Sequence, residues 1–411
     1  MIALVLCAAL PYPARAAVIR VPTDQPTIQA AINAAVAGDT VLVAPGTYTE
    51  NINFLGKAIT VKSEQGPEVT IIDGSRSGPV AMFASGEGRE SVLSGFTLTN
   101  GVAAAGFPSF DDGGGVFIGG SSPTITGNII TRNFACNGAG IAISGGSPLI
   151  QGNTISRNER TGCSGGLGGM GVLSLNGNEV QILGNVISDN HGGPAGGGIY
   201  MGATGTIKGN IITGNSASGE FPCGTGGGGI FLYAGMTLLA QNLIVGNQAP
   251  CGGGISWHYG LDILFLNNTV AGNQSPQGSA IFGNRGSNWK RLINNILVAG
   301  PGETTVFCEG FDPVDQPQFR FNNVFSPSGT AYGGNCTDQT GANGNISADP
   351  LFLDPSVGDY RVGLGSPVVD AGDSSVPELP NEDLLGHGRI VDGDGDGQAV
   401  IDVGASLVSN C

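Results

Sequence analysis

Charge is scarce in this sequence of 411 residues, and positive charge is the scarcer sign. Charged residues make up 12% of the chain, about half of the usual quarter. The lysines number four, Lys57, Lys62, Lys208 and Lys290, and the net charge is −16. This balance excludes the basic surface on which nucleic-acid binding depends. After the first residues, the sequence also lacks an apolar run long enough for a transmembrane helix.

Other absences narrow the class of protein further. Glycine supplies 73 residues without a strict three-residue period, which excludes collagen, and an apolar content of 40% argues against disorder. At the start, an apolar run is followed by Ala14-Arg15-Ala16, the pattern of a signal-peptide cleavage site. Residues 1–16 are therefore predicted to be a signal peptide. The mature chain is expected to be secreted, periplasmic or held at the cell surface.

What the chain does contain is one seven-residue pattern that recurs six times. "GNIITRN" at 127–133 is followed by related sequences at 152–158, 184–190, 209–215, 241–247 and 267–273. Between the copies lies a Gly-led apolar segment, such as "GGGVFI" at 113–118. Regular repetition of short strands, with no room for a helix, is typical of a β-solenoid. The sequence therefore predicts an all-β chain folded as a single-stranded, right-handed parallel β-helix.

Stacking of identical rungs places equivalent residues above one another. An interior column is predicted from the central isoleucines Ile130, Ile155, Ile187, Ile212 and Ile244. A ladder of stacked amides at one corner is predicted from the final asparagines Asn133, Asn158, Asn190, Asn215, Asn247 and Asn273. Asparagine suits such a corner because it tolerates left-handed backbone and can hydrogen-bond along the stack.

The two ends of the coil need covers, because an open rung exposes unpaired backbone. Residues 17–39 contain an amphipathic segment that is predicted to be a capping helix, with one apolar face formed by Ile28, Ala31, Ile32, Ala35 and Val36. The rungs are expected to fill residues 40–340. Residues 341–411 are expected to form a C-terminal closing region.

Three segments together resemble a known family: "TIQAAINAAVAGDTVLVAPGTYTENI", the "GNxIxxN" repeats and "ADPLF…GDYRVGLGSPVVDAG". The chain is similar to the secreted bacterial right-handed parallel β-helix repeat proteins of the pectin-lyase-like superfamily, over nearly the whole mature chain. This resemblance implies the fold. It implies little about activity, because members include lyases, epimerases, esterases and surface proteins with no known reaction.

The catalytic motifs of that superfamily are incomplete in this chain. "GTYTE", with Tyr48 and Glu50, matches an esterase pattern, but the companion "QDTL" is absent and "DILFL" at 262–266 matches the nucleophile segment weakly. "GHG" at 386–388 resembles a polygalacturonase motif without its paired aspartates. The sequence alone therefore leaves open whether the protein is an enzyme.

Candidate contacts to a sugar come from cationic and aromatic residues. A lyase needs a base and cations that stabilise the developing negative charge, and Arg132, Arg157, Arg160 and His191 lie on successive rungs. Arg132 and Arg157 occupy equivalent positions one rung apart and are predicted to form a small cationic patch. Trp257, His258 and Tyr259 form the densest aromatic cluster, which suits stacking on a sugar ring. The alternatives are solvent-exposed arginines beside the ladder and ordinary packing of the aromatic residues.

The sequence "DGDGDGQAVID" indicates a possible calcium loop. Asp392, Asp394 and Asp396 stand at alternate positions before a glycine, as in the first half of such a loop. Position twelve is Val403 instead of glutamate, and the nearest carboxylate is Asp402. The hypothesis is a calcium ion that stiffens the tail, and the alternative is an acidic glycine turn without metal.

The cysteines give a definite pairing. Three pairs, each 28 or 27 residues apart, are predicted to join consecutive rungs: Cys136 with Cys163, Cys223 with Cys251, and Cys308 with Cys336. An oxidising compartment makes such bonds reasonable. Cys411 would remain free or pair between chains.

The functional hypothesis is an exported, monomeric β-helix that binds an extracellular or cell-surface carbohydrate without catalysis. Its variable loops are rich in Gly, Ser, Pro and Asn, which suits neutral sugars, whereas an acidic polymer is expected to need bridging calcium. One alternative is a lyase or epimerase acting on uronic-acid polymers. The other is a purely structural secreted rod.

Overall fold

The computed structural model describes residues 16–103, 112–161, 166–219, 223, 225–258, 262–285, 290–310, 316–363, 365–393 and 395–406. Residues 1–15 of the predicted signal peptide, together with Cys163, Tyr259, Asp394 and Cys411, lie outside the described residues. Within these ranges the chain forms a parallel β-helix, in which each rung adds one strand to each of three long sheets. A short fourth sheet follows the third sheet in the middle rungs.

The sheets are numbered here in the order in which the repeating part of the chain visits them. Sheet 1 contains the Gly-led strands Ile52–Asn53, Ala81–Phe83, Val116–Gly119, Ile141–Ser144, Val172–Leu175, Ile199–Gly202, Ile230–Leu232, Ile255–His258, Ile281–Asn284, Thr304–Glu309 and Thr330–Gly334. Sheet 2 contains Val18–Val21, Thr40–Val43, Thr60–Ser63, Val92–Ser94, Thr124–Thr126, Leu149–Gln151, Val180–Leu183, Gly205–Lys208, Met236–Ala240, Asp262–Leu266, Lys290–Ile293 and Gln318–Arg320.

The other two sheets follow the corner residues of the repeat. Sheet 3 contains Gly46–Thr49, Thr70–Asp73, Thr97–Thr99, Ile129–Thr131, Thr154–Ser156, Val186–Ser188, Ile211–Thr213, Leu243–Val245, Thr269–Ala271, Ile296–Val298 and Asn323–Phe325. Sheet 4 contains Phe134–Ala135, Glu159–Arg160, His191–Gly193 and Ser216–Ala217.

The interior of the coil is built from stacked apolar side chains. In sheet 3, Ile130 pairs with Ile155, which pairs with Ile187, and the column continues through Ile212 and Ile244. All five side chains are buried. Since successive strand residues point to opposite faces, their neighbours face outward, and half of these are Thr or Ser. The predicted isoleucine column is confirmed.

Two amide ladders run along the corners on either side of sheet 3. In the predicted ladder, Asn158 Nδ2 donates to Asn190 Oδ1 at 2.9 Å, and Asn190 Nδ2 donates to Asn215 Oδ1 at 2.9 Å. The same pattern joins the other predicted members. A second ladder, which was not predicted from the sequence, uses the asparagine two residues before the central isoleucine of each repeat or its equivalent: Asn128, Asn153, Asn185, Asn210, Asn242, Asn268, Asn295, Asn322 and Asn345.

The capping helix runs from Ile28 to Ala34 at the start of the coil. Glu50 accepts hydrogen bonds from the amides of Ile28 and Gln29, both at 2.9 Å. At the other end, Lys57 Nζ donates to three carbonyl oxygens of the last turn, each at 2.8 Å. A carboxylate at the N-terminus and an ammonium at the C-terminus both complement the helix dipole. Val36 was expected on the apolar face, but it lies beyond the helix and is exposed.

The tail after the last rung folds back along the outer faces of sheets 2 and 3. It contains strands Phe352–Asp354, Asp359–Val362, Ile390–Val391 and Val400–Ile401, and one 3₁₀ turn at Pro355–Val357. One outward column of sheet 2 changes where the tail covers it, from Thr126 and Gln151 to Ala240, Leu266 and Ile293. Ala240, Leu266 and Ile293 are buried, and the tail residues Val376 and Leu379 pack against them.

Two of the predicted disulfide bonds are confirmed. Cys223 is bonded to Cys251 and Cys308 to Cys336, each across 28 residues. Cys136 is disulfide-bonded as well, but its predicted partner Cys163 is outside the described residues. The confirmed bonds tie consecutive rungs of the coil together.

Candidate functional site

The corner that follows sheet 3 holds one residue per rung in the left-handed backbone conformation. Arg132 and Arg157 occupy this position with φ of 56° and 54°. Two or more rungs later, the equivalent residues are Gly214, Gly246 and Gly272, also with positive φ. A left-handed backbone costs an ordinary residue about 1–2 kcal/mol, and glycine avoids this cost. The two arginines therefore stand where stability alone would favour glycine, asparagine or aspartate.

The two arginines contribute to an open groove of about 520 Å³ on the outer surface. We call it the arginine groove, and it is lined by Arg76, Asn100, Arg132, Phe134, Arg157, Glu159, Asp189 and His191. Two columns of the repeat form its floor. Asn100, Arg132, Arg157 and Asp189 come from the left-handed corner, while Phe134, Glu159 and His191 are paired on successive strands of sheet 4.

Arg76 completes the groove from an earlier loop. Its guanidinium lies 4.5 Å from the centre of the Phe134 ring, which is a cation–π contact. At the other end of the groove, His191 Nδ1 lies 2.9 Å from Ser216 Oγ. Arg132, Arg157 and His191 were predicted as candidates from the sequence, and the structure brings all three together. Arg76 was not predicted, because it lies outside the repeated segment.

The electrostatics of the groove differ from those of the whole chain. The chain has 12 arginines, because four of its 16 basic residues are lysines, and three of the 12 line this groove. Arg132 and Arg157 lie one rung apart, a spacing of about 4.8 Å. Within the described residues, neither side chain makes a hydrogen bond or an ion pair. The groove sets three arginines against Glu159 and Asp189, so its formal charge is slightly positive on an acidic protein, and its guanidinium groups suit a carboxylate or sulfate.

The expectation that Trp257 contacts a sugar is wrong. Trp257 is fully buried inside the coil, and its ring centre is 5.7 Å from that of Phe265. On the next rung it is paired with Gly283, where a Cβ atom would approach the indole to 2.6 Å. The indole thus fills the space that glycine leaves. Tyr259 falls outside the described residues, so its role as a contact stays a prediction.

The incomplete catalytic motifs have structural roles. Glu50 of "GTYTE" caps the N-terminal helix, and Tyr48 donates from its hydroxyl to the carbonyl oxygen of Ala44 at 2.9 Å. His387 of "GHG" lies 3.4 Å from Asp383, whose carboxylate also accepts from the backbone amide of His387. These contacts hold a turn of the tail.

The proposed calcium ligands lie in the tail, and the described residues do not test the metal. Asp392 accepts hydrogen bonds from the amides of Gly395 and Gly397, and Asp396 accepts from Gln398. Asp402 is buried, and burial raises its pKa to about 6. Among the described residues no three His, Cys, Asp or Glu side chains are grouped to hold a metal ion. Because Asp394 is outside this set, calcium binding stays a prediction.

Comparison with known proteins identifies the class. The family described as "Right handed beta helix region" matches residues 59–249 and 115–324, a span that covers more than half of the chain. The chain belongs to the right-handed β-helix family. No curated protein and no solved structure gives a significant match. In the described residues, no helix is long and apolar enough to cross a membrane.

Proposed function

We propose that this right-handed β-helix is an exported carbohydrate-binding protein, and that its arginine groove holds an acidic sugar without cleaving it. The observation that carries the proposal is the placement of Arg132 and Arg157 in left-handed backbone, on adjacent rungs, within a groove of an otherwise acidic protein. Residues held in unfavourable backbone conformations concentrate at functional sites. The two disulfide bonds between rungs support an oxidising compartment outside the cytoplasm.

The chemistry of the groove favours acidic groups over neutral hydroxyls at this position. Guanidinium groups bind carboxylates and sulfates through paired hydrogen bonds. Arg132 and Arg157 are separated by one rung, so a chain of acidic sugars running parallel to the coil axis meets a cation on each of these two rungs. The overall charge of −16 suggested that an acidic polymer would need bridging calcium to bind. Direct contact between the polymer and the arginines removes that need.

The test is binding of pectate, alginate and chondroitin sulfate with and without a calcium chelator. We expect saturable binding that persists with chelator and weakens as salt rises, because exposed charge pairs are screened. The double variant Arg132→Asn, Arg157→Asn should abolish this binding. It should keep the fold, because asparagine tolerates the left-handed backbone. Lys208→Asn, an exposed cation on the outward face of sheet 2, is the matched control and should leave binding unchanged. Absence of binding to all three polymers would leave the structural rod as the better description.

A uronic-acid lyase is the second candidate, because the groove also contains His191 beside the arginines. Lyase chemistry needs a base near a cation that stabilises the developing charge. Ultraviolet absorbance of the unsaturated product, followed with the same three polymers, separates the two functions. Turnover that is lost in His191→Asn, with binding retained, would replace simple binding by the lyase.

A further inference from the structure

A second column of aromatic and polar side chains lies at another turn of the coil, where the strands of sheet 1 end. His258, Asn284 and Glu309 are paired on successive rungs, and Tyr233 holds the same position one rung earlier. Because Trp257, the residue before His258, points into the coil, alternation places the column on the outer face. We call these four residues the tyrosine column.

The column marks a change within the repeat. On the four preceding rungs, the same register holds Gly119, Ser144, Leu175 and Gly202. Folding of the coil therefore does not require an aromatic ring, an imidazole, an amide or a carboxylate at this position. Four such groups appear together, on consecutive rungs, after residue 232.

The aromatic end of the column is a supported and accessible ring. The Tyr233 side chain is 48% exposed. Its ring lies 6.3 Å from that of Phe231 in a stacked arrangement and 6.0 Å from that of Tyr200. Phe231 and Tyr200 are themselves buried. Two buried rings thus hold Tyr233 in place and leave part of its surface open to a ligand.

The polar end offers both donors and acceptors. Asn284 Nδ2 donates to Glu309 Oε2 at 3.3 Å, which orients the amide. Burial and the nearby charge of Arg285 lower the pKa of His258, so the imidazole is neutral at pH 7 and has one donor and one acceptor. The backbone amide of Arg285 donates to the carbonyl oxygen of Glu309 at 2.8 Å, and the two residues carry opposite formal charges. A neutral ligand rich in hydroxyl groups fits this balance better than an ion.

We propose that the tyrosine column is a second binding site and that it takes a neutral oligosaccharide. The apolar face of one sugar ring packs on Tyr233, because an aromatic ring offers apolar surface at fixed geometry. Sugar hydroxyls hydrogen-bond to His258, Asn284 and Glu309. Three rung spacings cover about 14 Å, so the ligand extends over several sugar units parallel to the coil axis. The site is independent of the arginine groove.

The experiment is calorimetric titration of the full chain with neutral oligosaccharides of glucose, mannose and galactose. We expect saturable binding of at least one of them. Tyr233→Ser should weaken that binding about three- to tenfold, which corresponds to ~0.7–1.4 kcal/mol, and Asn284→Ala should weaken it as well. Met236→Ser, at an exposed residue beside the same turn, is the control and should not change the affinity.

The two sites are distinguished by crossed variants. Arg132→Asn with Arg157→Asn should leave neutral binding intact, and Tyr233→Ser should leave binding of acidic polymers intact. Near-ultraviolet circular dichroism confirms that each variant keeps its packing. Failure of all three neutral oligosaccharides to bind, or equal affinity of the wild type and Tyr233→Ser, would overturn this proposal without touching the first.

Discussion

Removal of one rung of the predicted amide ladder should destabilise the coil more than its small size suggests. Asn190 is fully buried. Its Oδ1 accepts from the backbone amide of Asn158 at 3.1 Å and from Asn158 Nδ2 at 2.9 Å. Its Nδ2 donates to the carbonyl oxygen of Ile155 at 3.0 Å and to Asn215 Oδ1 at 2.9 Å. Asn190→Ala removes all four bonds. With two main-chain groups losing these partners, at ~1–3 kcal/mol for each unsatisfied buried group, the expected loss is about 3 kcal/mol.

The variant Asn190→Asp changes the hydrogen bonds of this side chain while keeping its volume nearly constant. The carboxylate keeps the acceptor for Asn158 but loses the donor, and it faces Asn215 Oδ1 with a second acceptor in a buried place. Its folded pKa is therefore raised above the unfolded value of about 4, so this variant should be most stable in acid and should lose stability as pH rises from about 4 to the higher folded pKa. Ser188→Ala, a half-buried position in the preceding strand, is the control.

The assay is urea unfolding combined with hydrogen exchange at the amide of Asn158, because coils built from repeats can open locally. We expect faster exchange at Asn158 in Asn190→Ala and little change in Ser188→Ala. If Asn190→Ala costs less than 1 kcal/mol and Asn158 stays protected, the ladder is a by-product of stacking and does not hold the rungs together.

Three further predictions concern other parts of the chain. Lys290 is fully buried, and burial lowers its pKa to about 8, so the unfolded chain binds more protons than the folded chain above that pH. The free energy of unfolding should therefore rise between pH 8 and about 10.5, by up to ~3 kcal/mol. Urea titrations of Lys290→Met over the same pH range should lack that rise. Replacing Cys308 and Cys336 by Ser opens a 28-residue loop and should lower the free energy of unfolding by about 3–4 kcal/mol, measured without reductant against wild type. Calcium should raise the melting temperature by binding the folded tail, and Asp394→Ala with Asp396→Ala should abolish that rise; melting that ignores both calcium and chelator would contradict the site.

The architecture followed from the sequence because each rung has to match its neighbour. Repetition of the same residues fixed the register, and with it the interior column through Ile130, one ladder through Asn133 and two of the cysteine pairs. The ladder through Asn128 was equally visible, because an asparagine stands at the second position of all six copies of the seven-residue pattern, but the corner role was assigned to the last asparagine alone. Trp257 was misassigned for a related reason. In "GISW", alternation from the buried Ile255 already places Trp257 inside the coil.

The parts that sequence reasoning missed depend on contacts outside the repeat. Arg76 reaches the arginine groove from a loop that precedes the repeated sequence, so the repeat does not predict its position. The path of the tail could not be predicted from the repeat either, because side chains on distant rungs determine it. The visible signal was a change at the corner before sheet 3, where Gly184 and Gly209 give way to Asn267 and Asn294.

That change concerns the contacts that corner residues make. Asn267 Nδ2 donates to the carbonyl oxygen of Asp402 at 3.0 Å, and Asn294 Nδ2 donates to that of Asp373 at 3.2 Å. Where a longer side chain replaces glycine at this corner, it therefore binds the tail. The same replacement occurs at the next corner, where Arg132 and Arg157 stand in place of glycine. There the described residues supply no partner for either guanidinium. In the proposed function, an acidic sugar is the partner of these two arginines, as the tail is the partner of Asn267 and Asn294.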